Sequence, residues 1–190
     1  MFADLLRQHL AGIVDLSDEQ VAALEAHYEL LVRWNRSLNL TAITDLEEAI
    51  ERHYCESLFV GQALNLPRQR IADIGSGPGF PGFPVAVLCP DCSITLIESH
   101  QRKAVFLKEA SRSMPNVRVL AKRAENISES FDWAISRAVS YQDLSRSLRR
   151  LAPNAILLTG ADPPPDDLGF SWRSPISLPW APHRFLRMTL

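Results

Sequence analysis

Residues 71–88 read Ile-Ala-Asp-Ile-Gly-Ser-Gly-Pro-Gly-Phe-Pro-Gly-Phe-Pro-Val-Ala-Val-Leu, and this stretch constrains the fold more than any other. The apolar run Ile71, Ala72, Ile74 reads as a buried strand, and Pro84-Val85-Ala86-Val87-Leu88 reads as the opening turns of a helix. Between them Gly75, Gly77 and Gly79 stand at alternate positions, where the chain can turn tightly and a ligand can approach the backbone. Strand, glycine turn and helix N-terminus form the first half of a nucleotide-binding βαβ unit. The spacing is G-x-G-x-G with Asp73 two places before it, and Phe80 occupies the position where a dinucleotide fingerprint has its last glycine. That departure points away from NAD and towards S-adenosylmethionine, which carries no pyrophosphate to cradle.

The rest of the chain sets this unit in a larger rhythm. Strands are predicted at 70–74, 93–98, 116–121, 131–136 and 154–159, with helices near 82–89, 101–113 and 141–151. Such alternation implies an α/β fold with a parallel sheet covered on both faces and a ligand cleft at the carboxyl ends of the strands. Asp162-Pro163-Pro164-Pro165-Asp166-Asp167 is incompatible with a helix, and beyond it a loop and a last β-hairpin containing Phe185-Leu186-Arg187-Met188 are expected. Residues 1–60 read as helical throughout. Ser17-x-x-Gln20 is a capping box ahead of Val21, Leu24, Tyr28, Leu31 and Trp34 at helical spacing. Thr44-x-x-Glu47 repeats the capping pattern ahead of Ile50, Tyr54, Leu58 and Phe59. Leu66-Pro67-Arg68 marks the expected division into an N-terminal helical region, 1–66, and a Rossmann-like domain, 67–190, within one compact unit.

Composition limits the classes of protein. With 46% hydrophobic residues the chain of 190 can bury a real core. No run of about 18 apolar residues is available for a membrane helix. Met1-Phe2-Ala3-Asp4 lacks the basic start of a secretory leader, and three cysteines suit a reducing cytoplasm. Cys89 and Cys92 form a C-P-D-C pair between a helix end and a strand, with no second pair to complete a zinc site, so their expected role is structural. The net charge of −2 is unevenly spread. Residues 1–60 hold 11 acids and 4 Lys or Arg, while residues 61–190 hold 11 acids and 16 Lys or Arg. The segment with the nucleotide-binding signature is the basic one, as a phosphate backbone favours, although solvated helix faces produce the same split.

Three further positions carry candidate chemistry. Glu98 ends the second strand, where a carboxylate can accept hydrogen bonds from both ribose hydroxyls of a nucleoside; its alternative is a solvated strand end. Ala124-Glu125 follows the third strand, where backbone amides can read an adenine edge and Glu125 can instead cap the next turn. Arg137, in Ser136-Arg137-Ala138 after the fourth strand, points into the cleft or forms a surface ion pair with Asp132 or Glu125.

Taken together, Trp34-Asn35 with Asn39-Leu40-Thr41, His53-Tyr54-Cys55-Glu56-Ser57-Leu58, Asp73 to Pro84, and Ser136-Arg137-Ala138 resemble the bacterial 16S ribosomal RNA guanine-7 methyltransferases. This family is also called glucose-inhibited division protein B, and the resemblance runs from about residue 20 to 160. It implies a Rossmann-like S-adenosylmethionine-dependent methyltransferase with a mostly parallel sheet, capped by N-terminal helices. It also implies an enzyme acting on a guanine of 16S ribosomal RNA in the small subunit, and since nothing in the sequence calls for an obligate dimer, a cytoplasmic monomer is expected. Cofactor contacts carry over to Gly75, Phe80, Ala124, Glu125 and Arg137, with Gly77, Gly79 and Glu98 shaping the same pocket and Arg137 bordering the methyl or target base. His53, Glu56 and Ser57 are expected to form a buried network that fixes the cap to the Rossmann-like domain. No metal is implied, and the 7-nitrogen of guanine can attack a methyl group without a general base. Two departures stand out. Thr159-Gly160 replaces a family Lys-Gly pair, and the link to the last strands is short and rich in proline. RNA contact is therefore expected to draw on Arg102, Lys103, Lys122, Arg123, Arg184 and Arg187. Other readings are a methyltransferase with another substrate and a non-catalytic relative that binds S-adenosylmethionine or RNA.

Overall fold

The computed structural model describes residues 1–65 and 67–190. Five parallel strands follow the expected rhythm: β1 (Arg70–Ile74), β2 (Ser93–Ile97), β3 (Val117–Leu120), β4 (Trp133–Arg137) and β5 (Asn154–Thr159). A hairpin of β6 (Ile176–Leu178) and β7 (Ala181–Met188) completes a seven-stranded sheet in the order β3-β2-β1-β4-β5-β7-β6. β7 runs antiparallel to both β5 and β6. The order reverses between β1 and β4, which pair from Ile71↔Trp133 to Ile74↔Ser136, so the topological switch point lies above the glycine turn.

Helices cover both faces. On one side lie α1 (Phe2–Leu10), α2 (Asp18–Leu38), α3 (Leu46–Ala49), α4 (Glu56–Leu64), α5 (Gly82–Leu88) and α6 (Gln101–Ala110). Phe2, Leu6, Leu24 and Tyr54 from the N-terminal helices join Phe83, Leu96 and Phe106 in one buried cluster. The N-terminal region therefore has no separate core. On the other side α7 (Tyr141–Ser145) and α8 (Leu148–Leu151) lay Leu144, Leu148 and Leu151 against Ile74, Ala134 and Leu157. The expected boundary residue, Leu66, lies outside the described residues.

Local chemistry explains most of the boundaries. Ser17 caps α2 with the full reciprocal box: its side chain accepts from Gln20 N–H, and the Gln20 side chain accepts from Ser17 N–H. The second cap is displaced by one residue from its expected place. Asp45, not Thr44, accepts from Glu48 N–H, because Asp45 is an equally good cap and begins a turn that buries Ala49 and Ile50. The following helix is not uniform: Ile50–Cys55 is a π-helix, with Glu56 N–H bonded to Glu51 C=O, and α4 continues from it. The helix expected over 141–151 is likewise broken, at Arg146-Ser147, where Ser147 leaves helical geometry at ψ −29° with φ −140°. The Pro-rich link is a loop with a single 3-10 turn at Asp166–Leu168.

One position on α5 shows how tightly the glycine turn is set. Gly82 N–H donates to the buried Asp73 carboxylate at 2.9 Å, so Asp73 caps α5 from the end of β1. A Cβ at Gly82 would stand 2.4 Å from Leu96 Cδ2 and 2.6 Å from Asp73 Oδ2. Gly82→Ala is therefore expected to lose about 1–3 kcal/mol of stability through overpacking. Urea unfolding against the wild-type protein measures it, and an unchanged midpoint would show that the loop is not clamped in this way.

Candidate active site

The site sits at the carboxyl ends of β1, β2, β4 and β5. Gly75 and Ser76 N–H groups both bond to Ile97 C=O, at 2.9 and 3.0 Å, which pins the start of the turn to β2. Gly75 has φ +71°, and a Cβ there would lie 2.5 Å from Val139 Cγ2. Glycine is thus required both by backbone conformation and by the approach of the loop after β4. Ser136 Oγ–H donates to Ile74 C=O at 2.8 Å and ties β4 to the same turn.

Glu98 is nearly buried and belongs to this turn rather than to solvent. Its Oε2 accepts from Gly77 N–H at 2.9 Å and its Oε1 from His100 N–H at 2.7 Å. Each oxygen keeps a lone pair for a further donor such as a ribose hydroxyl. Beside it, Gly75, Ala124, Glu125, Lys122, Arg123 and Val139 line a cavity of about 230 Å³. Gly75 and the Ala124-Glu125 pair are thus brought together, as a nucleoside pocket needs. Ala124 and Glu125 form a 3-10 turn whose carbonyls are held by the Arg150 guanidinium at 3.0 and 3.2 Å.

Across Val139 lies a second and larger cavity of about 570 Å³, which Val139 shares with the first. Thr41, Arg52, His53, Arg137, Tyr141 and Arg184 are among its walls. Arg137 is held from behind: it donates to Arg52 C=O, and its Nη2 donates to His53 Nδ1 at 2.8 Å. Glu56 lies 3.9 Å from Arg137 and receives both Nε and Nη2 of Arg184 at 2.7 and 2.8 Å. Of the two alternatives for Arg137, the surface ion pair with Asp132 or Glu125 is not formed; Asp132 accepts from Arg70 N–H. Burial lowers the Arg137 pKa to about 10, with Glu56 acting in the opposite direction, so the guanidinium stays charged.

The network expected from His53, Glu56 and Ser57 is present, with Arg137 and Arg184 as its centre. Ser57 Oγ–H donates to His53 C=O at 2.5 Å. His53 stacks on Phe80 with ring centroids 4.5 Å apart and planes 10° from parallel, and Arg137 lies over the same ring at 5.3 Å. Phe80 is therefore buried beneath the site and supports His53 and Arg137 from below. Gly79 likewise faces inward, against His27 and Phe83.

The basic residues divide into two groups. Lys122 and Arg123 are exposed and border the smaller cavity. Arg184 is committed to Glu56, and Arg187 donates to Thr159 Oγ1 at 3.0 Å and to Ala161 C=O at 3.1 Å. Arg187 is buried, whereas Arg184, half-buried against Glu56, also lines the larger cavity. Arg187 nevertheless places a cation beside Thr159, at the strand end where the resemblance leads one to expect lysine.

Two residues escaped the sequence reading. His27 on α2 is fully buried between Tyr54 and the glycine turn. Pro78 C=O can only accept, so His27 Nε2–H donates to it at 3.0 Å and Nδ1 accepts from Tyr54 O–H at 2.8 Å. The signal for it was its place between Leu24 and Leu31 on the apolar stripe. Thr41 is the other, fixed by the segment that follows α2. Asn39 ends that helix at φ 47°, and Asn35 brackets Thr41 by donating to its C=O at 3.0 Å and accepting from its N–H at 2.9 Å.

Burial lowers the His27 pKa to about 4, against 6.5 for the free side chain. A histidine depressed in the folded state stabilises it above the unfolded pKa and loses that contribution as pH falls towards the folded one. At 1.36 kcal/mol per pKa unit, the loss between pH 6.5 and 4 is roughly 3 kcal/mol for this group. The stability difference between wild type and His27→Gln is expected to shrink as pH falls over that range. Denaturant titration at several pH values checks it, and a pH-independent difference would contradict the buried neutral imidazole.

Sheet order, glycine turn and paired cavities define the class: a Rossmann-like methyltransferase fold. Magnesium protoporphyrin IX methyltransferase of Synechocystis PCC 6803, solved with bound S-adenosylmethionine, shares it at a TM-score of 0.63 and 15% identity, over 93% of this chain and 98% of that one. Fibrillarin of Aeropyrum pernix, in complex with S-adenosylmethionine, does so at 0.56 and 15% identity, over 74% of this chain and 75% of that one. The chain belongs to the GidB family, rRNA small subunit methyltransferase G, whose family model matches residues 20–158. A ribosomal RNA small subunit methyltransferase G of Xylella fastidiosa strain 9a5c is 41% identical over 151 residues, 78% of this chain and 66% of the relative. That of Desulforamulus reducens is 36% identical over 135 residues, 66% of this chain and 56% of the relative. The chain thus matches between 56% and 66% of the length of these relatives.

Proposed function

We propose that this protein is a cytoplasmic, monomeric methyltransferase that transfers a methyl group from S-adenosylmethionine to the 7-nitrogen of a guanine in 16S ribosomal RNA. The observation that carries this reading is the pair of cavities that share Val139 in their walls, at the switch point of a methyltransferase sheet. The smaller one fits a nucleoside cofactor. Gly75 lines it from the glycine turn together with Ala124 and Glu125, and Glu98, between its wall residues Ile97 and Ser99, keeps free lone pairs. When bound there, S-adenosylmethionine supplies an electrophilic methyl on a sulfonium centre. The larger cavity fits a base with its phosphates, since Arg52 and Arg137 supply positive charge.

The residue chemistry agrees with attack by a ring nitrogen. Burial, with Arg137 beside it, lowers the His53 pKa to about 2, so its imidazole is neutral and a poor base. Guanine N7 needs none, because its lone pair is already available as an acceptor. What the site supplies instead is alignment at roughly 3–3.5 Å and a fixed electrostatic frame. Among the described residues no cluster of His, Cys, Asp and Glu suits a metal, and no helix is long and apolar enough to cross a membrane. Incubating the protein with labelled S-adenosylmethionine and small-subunit RNA, alongside large-subunit RNA and transfer RNA, tests the substrate class. Label confined to the small-subunit RNA is expected; label in no RNA, despite cofactor binding, would overturn the reading.

A further inference from the structure

The hydrogen-bond chain Arg137–His53–Thr41 ends at the hydroxyl of a residue that lines the larger cavity. A guanidinium can only donate, so His53 Nδ1 must accept from Arg137 Nη2 at 2.8 Å. The neutral imidazole then carries its proton on Nε2 and donates it to Thr41 Oγ1, also at 2.8 Å. Thr41 Oγ1 accepts a second bond from Ile43 N–H at 3.1 Å. Both lone pairs of the hydroxyl are thereby occupied, and among the described residues no acceptor takes its hydrogen. Asn35 fixes the Thr41 backbone from both sides, and with both lone pairs taken the hydroxyl has only its hydrogen left to offer a ligand in the cavity.

We propose that the Thr41 hydroxyl is a specificity-determining group that donates to O6 of the target purine and so selects guanine over adenine. This rests on the function proposed above. On the edge that carries N7, guanine presents two acceptors, N7 and O6, whereas adenine presents N7 and a donor amine. The Thr41 hydroxyl satisfies O6 and leaves N7 bare for methylation. Against adenine it meets an N–H with no lone pair to offer, and both donors stay unpaired in a confined space. A neutral hydroxyl also withdraws less electron density from the attacking ring than a guanidinium at the same place. The polarity of the contact is set at a distance: Arg137 fixes the His53 tautomer, and the tautomer fixes which way the hydroxyl faces.

The test combines a change in the enzyme with one in the base. Small-subunit RNA is prepared with guanine or 2-aminopurine at the mapped target; 2-aminopurine keeps N7 and the 2-amino group and lacks O6. The preference of an enzyme for guanine over 2-aminopurine, as kcat/KM, is then compared between wild type and Thr41→Val, which cancels the intrinsic difference in N7 reactivity. The wild-type preference is expected to exceed that of Thr41→Val by roughly ten- to a hundredfold, the worth of a polar group left unpaired. Thr41→Ser, which keeps the donor, is expected to restore it. Equal preferences in wild type and Thr41→Val, or a Thr41→Ser variant that behaves like Thr41→Val, would overturn the assignment while leaving the methyltransferase reading intact. Absence of any transfer by wild type to the guanine RNA would overturn both.

Discussion

Replacing Glu56 with alanine is expected to destabilise the protein by about 3–5 kcal/mol. The carboxylate is fully buried, and its two oxygens receive the fork of Arg184 from β7 at 2.7 and 2.8 Å. Arg137 adds a second cation 3.9 Å away. Removing the carboxylate leaves two guanidinium groups in a partly buried space with no counter-charge. That penalty exceeds the modest net value of the intact pair, because the cost of desolvating the cations remains. The hairpin also loses its polar link to the helical region, which otherwise holds it through Trp180 Nε1–H donating to His9 C=O. Chemical denaturation measures the loss. A change below about 1 kcal/mol, the range of an exposed ion pair, would show that Glu56 is not the anion at the centre of this network.

Arg137→Ala is expected to lower kcat/KM for methyl transfer by about 10²–10³-fold, as removal of a preorganised donor does elsewhere. Arg137 stands at the end of β4 and lines the larger cavity, and it is anchored by Arg52 C=O, His53 Nδ1 and the Glu56 charge. Ala138, next in the chain, has φ +60°, a conformation held only because the surrounding structure fixes it. Arg137→Lys is expected to recover little, since a single ammonium cannot reach both Arg52 C=O and His53 Nδ1 as a planar fork does. Initial rates on small-subunit RNA, with the melting temperature as a control, decide the matter. Full activity in a folded Arg137→Ala protein would remove Arg137 from the site.

The sheet was legible because its signals are local. Each parallel strand is a short apolar run bounded by turn residues, and β1, β5 and the start of β2 fall where periodicity places them. Strand ends were less so: β2 stops at Ile97, since Glu98 turns its carboxylate back to the glycine loop. The π-helix at Ile50–Cys55 had no sequence signal, since its extra residue is set by packing of His53, Tyr54 and Cys55 against the core. For the site, Gly75, Ala124, Glu125 and Arg137 were identifiable from strand ends and family resemblance. The partners of Arg137 were not: Glu56 and His53 are more than 80 residues away, and only the packed fold joins them. The internal acceptors of Arg184 and Arg187 were not legible either, because charge in sequence does not reveal them. Thr41 was visible only as part of a motif, and its role emerges from hydrogen-bond directions that no spacing rule contains.

The most direct measurement is nucleoside analysis of small-subunit ribosomal RNA from a strain lacking this protein, before and after incubation with the pure protein and S-adenosylmethionine. The account predicts one new 7-methylguanosine, formed by the wild-type protein and strongly reduced with Arg137→Ala. A methyl group found on another base, on an exocyclic amine or on ribose would contradict it.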